Sequence, residues 1–171
     1  MSGETAQVAL WHIDPACVRS LETVEPSWRD DAGLEAVWAA AHEPHPVGEL
    51  PAVRARASGA TVSSICYIED AEVLVHSDAV RAAVESVRGS ASEHVWLPVT
   101  VELDGKELTY WLLSCQVPDV ALPDRSVNAA LVRDAAVVHY EVGDNFPAFV
   151  DRARDAIERD CPDVRFCPAG P

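Results

Sequence analysis

Apolar and polar residues alternate from Val8 to Ile13, and Asp14-Pro15 follows, so the chain opens on a strand closed by a turn. The period then changes. Leu34, Val37, Trp38 and Ala41 recur at helical spacing behind Asp30-Asp31, whose carboxylates can cap a helix start and oppose the positive end of its dipole. This helix stops before Pro44, and Trp38, on its apolar stripe, is a candidate core residue. Pro44, Pro46, Gly48, Pro51 and Gly59 then make residues 42–59 an internal loop instead of a regular element.

Thr61 to Ile68 is rich in β-branched and aromatic residues, and Val73 to Val75 is a second short apolar stretch, which predicts two strands. Ser77 is placed to cap a helix reaching Arg88, with Val80, Val84 and Val87 on one face and Gly89 at its end. Val95 to Leu103 and Glu107 to Val117 flank Asp104-Gly105-Lys106, a short Gly-containing connection that predicts an antiparallel hairpin. In its second arm Trp111, Leu113, Cys115 and Val117 alternate with Tyr110, Leu112, Ser114 and Gln116, and the former set is expected to face the core.

Pro118 and Pro123 make the following segment a loop, Ala135 to Val142 resumes as a strand, and Pro147 is expected to open a final helix. Its apolar stripe would be Phe149, Val150, Ala153, Ala156 and Ile157, packed on the sheet. No repeat, heptad or low-complexity segment is visible. Strands joined by hairpins, with few helices, predict an α+β fold: a single domain over residues 1–171 with a mixed, mostly antiparallel sheet and about three helices.

Composition agrees with a packed core: 171 residues, 49% of them hydrophobic, suffice to bury most of the apolar surface of one domain. Charge narrows the choice of partner. With 28 acidic against 13 basic residues the formal net charge is -15, a field that repels nucleic-acid phosphates and anionic membranes and favours a cationic protein partner, besides keeping the chain soluble. The start, Met1-Ser2-Gly3-Glu4-Thr5, lacks the basic and apolar regions of a secretory signal, and no later apolar run is long enough to span a bilayer. A cytoplasmic location is expected. The five cysteines, at 17, 66, 115, 161 and 167, form an odd and scattered set that reads as reduced thiols, with Cys66 and Cys115 acting as small strand hydrophobes.

Catalytic signatures are sparse. The eight glycines match no phosphate-cradling spacing, and no Gly-x-Ser-x-Gly elbow occurs. His42-Glu43-Pro44-His45 holds two imidazoles, but the proline denies them a common helix face, and Cys161 and Cys167 are too far apart for a paired-cysteine knuckle. Neither a metal nor a cofactor is expected. His12 or His139, in strands, could in principle serve Cys17 or Cys115 as base, yet spacing alone does not bring them together, so no residue is assigned a catalytic role. For partner binding the candidates are Trp28, in a turn-like segment beside Arg29, and the acidic groups Asp30, Asp31, Glu69, Asp70, Glu72, Asp119 and Asp124. Capping at Asp30-Asp31 and turn formation at Asp119 and Asp124 are the alternative roles for four of these.

One stretch carries a resemblance. Val73-Leu74-Val75-His76-Ser77, a helix, Trp96-Leu97-Pro98-Val99, Tyr110-Trp111-Leu112-Leu113 and finally Asp124-Arg125-Ser126 resemble bacterial polymorphic-toxin immunity proteins, a family long catalogued as a domain of unknown function. The resemblance runs from Val73 to Ser126 and rests on proline and aromatic positions of a hairpin, so no catalytic residue is carried over. It implies a protein that neutralises a cognate toxin by a tight complex, for which negative potential would speed encounter with a basic toxin domain. The alternative from the residues is an enzyme or small-ligand-binding protein whose pocket lies against the 95–117 hairpin, with the 42–59 loop as a lid.

Overall fold

The computed structural model describes residues 8–23, 31–42, 53–56, 63–89, 94–115, 127, 129–132, 134–140 and 147–169. Along the chain they form β1 (Leu10–Ile13), β2 (Arg19–Thr23), α1 (Asp31–His42), β3 (Val53–Arg56), β4 (Ile65–Ile68), β5 (Val73–His76), α2 (Asp78–Ser86), β6 (His94–Leu103), β7 (Lys106–Cys115), α3 (Ala129–Val132), β8 (Val137–His139), β9 (Pro147–Val150), α4 (Asp151–Asp160) and β10 (Phe166–Pro168). The fold is α+β, but the strands divide between two sheets where one was expected. A four-stranded antiparallel sheet runs β10-β1-β9-β8, and β2-β3-β6-β7-β5-β4 close into a barrel that is antiparallel except where β2 meets β4 and β3 meets β6. Among the described residues no helix is long and apolar enough to cross a membrane.

Local chemistry explains the elements that sequence anticipates. Asp104 and Gly105 both adopt positive φ, 49° and 76°, the two-residue turn that matches strand twist, and Leu103 pairs directly with Lys106 across it. The Ser77 side chain accepts from the Val80 amide at 3.4 Å, capping α2 as expected, and Asp14 accepts from Ala16 at 2.9 Å to fix the single-turn helix Pro15–Cys17 that ends β1.

Other expectations are overturned. The 42–59 segment is not loop throughout, because Val53–Arg56 pairs with β2 and β6 as a barrel strand. Pro147 opens a strand and not a helix: proline is tolerated as a first strand residue, and Ala148, Phe149 and Val150 are buried in β9 before α4 starts at Asp151. Only Ala153, Ala156 and Ile157 remain from the forecast stripe, and they are buried. Gly89 does not cap α2, whose last turn ends at Val87 without a left-handed residue; instead a Cβ on Gly89 would overlap the Asp134 carbonyl oxygen, so the glycine permits a close backbone approach. Trp38 is not a core residue, for it is 41% exposed while its neighbours Val37 and Ala40 are buried.

The second hairpin arm serves two cores instead of one. Tyr110 and Leu112 point into the barrel with Val73, Val75, Val99 and Val101, and α1 closes this core with Val37 and Ala40. Leu113 and Cys115, on the opposite face of β7, join Leu74, α2, α4 and the four-stranded sheet in the second core. A strand buried on both faces has no polar side to mark its orientation, which is why alternation alone misassigns it.

The architecture also holds an internal repeat. β5, α2 and β6 form a strand-helix-strand unit whose two parallel strands flank antiparallel β7; β9, α4 and β10 flank antiparallel β1 in the same way. The registers coincide. His76 and Pro98 lie opposite Trp111 as Phe149 and Pro168 lie opposite Trp11, and Trp96 faces Leu113 as Phe166 faces Ile13. Asp78–Glu85 and Asp151–Glu158 share Asp, Arg, Ala and Glu at their first, fourth, sixth and eighth positions. At each helix start the Asp accepts the indole N–H of the middle-strand tryptophan, Asp78 from Trp111 at 2.6 Å and Asp151 from Trp11 at 2.7 Å. The Arg one turn on covers the same ring, Arg81 at 3.8 Å and Arg154 at 4.1 Å from the centroid. We call these the first unit and the second unit; α2 and α4 pack on each other where they meet.

Candidate functional site

The acidic turn between β4 and β5 is one candidate. Glu69 and Glu72 are exposed there, and Glu72 takes a left-handed φ of 53° while its amide donates to the Glu69 carbonyl at 3.2 Å. This turn packs on α1, whose outward positions include exposed Glu35 and exposed Trp38. The turn that carries two of the forecast acidic residues thus packs on the helix that carries Trp38, an aromatic expected in the core. Asp31 is the first residue of α1 and Asp70 lies in the turn; the side chains of both, and Trp28, Asp30, Asp119 and Asp124 altogether, are outside the described residues. His42 ends α1, and His45 is outside them too.

A second candidate is a polar layer between α2 and the outer face of the barrel hairpin, formed by residues that the sequence did not mark as site residues, although His76 and Trp96 lie in the stretches that carry the resemblance. The Glu85 carboxylate accepts from Trp96 Nε1 at 2.8 Å, His94 Nε2 at 2.9 Å and the Arg88 guanidinium at 3.0 Å. Arg88 also donates to the His94 carbonyl at 2.9 Å, tying the end of α2 to the start of β6. Partial burial works against ionisation of Glu85, but the donors outweigh it and hold the carboxyl below the ordinary range. His94 is buried, and burial lowers its pKa against the opposing hydrogen bond from Glu85. His76 is 1% exposed and donates from Nδ1 to the Trp111 carbonyl at 3.1 Å; burial pushes its pKa down to about 4. Both rings stand edge-on to Trp96, centroids 5.6 and 6.0 Å away, and His76 Nε2 and His94 Nδ1 meet no hydrogen-bonding partner.

The thiols are placed against nucleophilic chemistry. Cys17 is held by the Asp14 carbonyl and the Arg165 backbone, and burial raises its pKa. Burial pushes the Cys115 thiol up to about 12, and all five cysteines are free. Cys66 is buried as forecast. A further contact locks the two sheets together: Asp163, in the turn before β10, accepts from the Ser64 amide at 2.8 Å and hydroxyl at 2.7 Å beside β4. Partial burial disfavours the charge there, yet those two bonds prevail and keep the Asp163 carboxyl below its usual pKa.

What the arrangement can do differs between the two places. The α1 face offers an exposed indole and an exposed carboxylate, Glu35, on the helix that packs against the acidic turn. The layer under α2 offers neutral imidazoles sealed from solvent. Among the described residues no group of three or more potential metal ligands converges. No family model matches the chain, and no curated protein does.

Proposed function

We propose that this chain is an immunity-type binding protein of the cytoplasm that neutralises a cognate bacterial toxin by forming a tight complex with a basic toxin domain. The observation that carries the reading is how the net charge of -15 is displayed. Guanidinium groups are engaged within the chain: Arg88 with Glu85, Arg154 with Asp151 and Asp155, Arg159 with Asp160, Arg81 over Trp111 and Arg165 on the Pro162 and Val164 carbonyls. Glu35, Glu69, Glu72, Asp104, Glu107, Asp134 and Glu158 are exposed. An unneutralised acidic exterior accelerates encounter with a basic surface and imposes specificity through complementary charge. The stretch that resembles the immunity family, Val73 to Ser126, begins at β5 and includes the first unit, while Asp124-Arg125-Ser126 lies outside the described residues.

The test is co-expression with toxin domains encoded beside this gene, followed by association kinetics on any pair that restores growth. Rescue together with an on-rate that falls about tenfold or more from low to moderate salt is expected from screening of the steering field. Absence of rescue, or an on-rate indifferent to salt, overturns the reading. The second reading, a small-ligand or enzymatic site against the hairpin, draws on the Glu85–His94 pair lying at the start of β6. A ligand panel that raises Tm in the wild type and not in Glu85→Gln would favour it.

A further inference from the structure

The second unit is a control for the first. Where the registers match it shows what the strand-helix-strand architecture requires, and its answer is apolar: Phe149 stands where His76 stands and Phe166 where Trp96 stands. The packing geometry is the same. Phe149 and Phe166 meet edge to face at 5.5 Å and 71°, His76 and Trp96 at 5.6 Å and 79°. Phe149 is buried, and Glu158, the counterpart of Glu85, is exposed. The fold therefore does not need an imidazole where His76 stands, nor an acceptor network at the Glu85 position, where the second unit leaves Glu158 exposed. A buried polar set that replaces a workable apolar one lowers stability, and such departures from packing rules mark function.

We propose that the His76–Trp96–His94 layer is a proton-operated latch that holds α2 on the barrel at neutral pH and releases it on acidification. His76 is the trigger. Its Nδ1 already donates to the Trp111 carbonyl, so an added proton goes to Nε2, which faces no acceptor. The charged groups around it are committed elsewhere. Asp78 and Arg81 of α2 hold Trp111, Glu85 and Arg88 of α2 hold Trp96 and β6, and Arg152 of α4 donates to the Ala135 carbonyl at 2.8 Å. On the strand side β5 and β7 contribute Leu74, Leu113 and Cys115, all buried and uncharged. Among the described residues the one carboxylate of the layer, Glu85, is already occupied by Trp96, His94 and Arg88, so an imidazolium formed at His76 is poorly compensated, and the route that solvates it is departure of α2, which these side chains hold together with buried Val80, Ala83 and Val84. His94 behaves differently, because its protonated ring would still face the Glu85 carboxylate at 2.9 Å.

The decisive variant is His76→Phe, which installs the residue that the second unit uses. Hydrogen exchange followed from pH 7 to pH 4.5 on the wild-type chain should show α2 amides losing protection while β2 and β4 keep theirs. In His76→Phe the loss should move down by about one pH unit or more. The same midpoint in both proteins overturns the latch, as does simultaneous loss across the whole fold in the wild type. If His76→Phe does not fold, the wild-type imidazoles decide the matter by NMR titration. A His76 ring that stays neutral until α2 opens sustains the proposal, and a ring that protonates with α2 still protected overturns it.

Discussion

The first and second units have the same strand order, the same registers and the same Trp-Asp-Arg clasp at the helix start, yet one is filled with imidazoles and the other with phenyl rings. The difference separates what a fold demands from what a site demands. Where both units agree, at the clasp and at the small residues Ala83 and Ala156, the residue serves assembly. Where they disagree, at His76 and Phe149 or Trp96 and Phe166, the architecture tolerates both and something else made the choice.

The largest expected effect breaks the apolar unit with the residue of the polar one. Phe149→His would place an unpartnered imidazole and a small void in a fully buried position, costing about 4 kcal/mol, read as a fall in the urea midpoint at pH 7.5. Should the variant remain within about 1 kcal/mol of wild type, the two environments are equivalent and the comparison fails. The pH dependence comes next. The His76 pKa is lowered in the folded state to about 4 from an unfolded value of 6.5, so below pH 6.5 the unfolded chain binds a proton that the folded one refuses. Its contribution, about 3 kcal/mol, is fully present above that pH and lost as pH falls to about 4. Denaturation series at pH 7.5 and 4.5 should show the gap shrink in His76→Phe. Asp163, whose carboxyl is held low by Ser64, loses its stabilising contribution further down the same acid limb, so Asp163→Asn should flatten that part alone.

Smaller effects sharpen the comparison. Glu85→Leu would strand the Trp96 and His94 N–H donors and cost about 2 kcal/mol, whereas Glu158→Leu on the equivalent exposed position should change stability by less than about 0.5 kcal/mol. At the shared clasp, Trp111→Phe and Trp11→Phe each remove one indole hydrogen bond and weaken one stacked guanidinium, for about 1 kcal/mol apiece. Equal losses there are the prediction. A twofold disparity in thermal denaturation would mean that the clasps are alike in geometry only.

Much of this was legible in the sequence, and the limits are physical. Asp104-Gly105 announces its hairpin because only a few residues accept positive φ at both turn positions, and Ser77 announces α2 because a hydroxyl at that place caps the helix. β9 was hidden because Pro147 and a following apolar run suit a helix start as well as a first strand residue. The repeat was hidden by order: the middle strand follows its unit in one case and precedes it in the other, so no fixed period exists. The layer under α2 was hidden because Glu85, His94 and His76 look unremarkable along the chain and acquire meaning only through pairing. Of the forecast acidic residues, Glu69 and Glu72 are exposed in a turn that packs on α1, and Trp38 of that helix, which spacing assigns to the core, is exposed too.

The unequal placement of the middle strands has a consequence for how the chain acquires its structure. In the first unit the clasp joins residues 33 apart; in the second it joins residues 140 apart. Closure of the long loop carries the greater entropic cost and must wait on more chain, so the first unit is the natural nucleus and the second condenses late. On the ribosome β1 emerges well before its partners β9 and β10, which leaves Leu10–Ile13 as an unpaired strand until they follow. That apolar edge is where a chaperone would be wanted, and where a stalled or truncated chain would begin to aggregate.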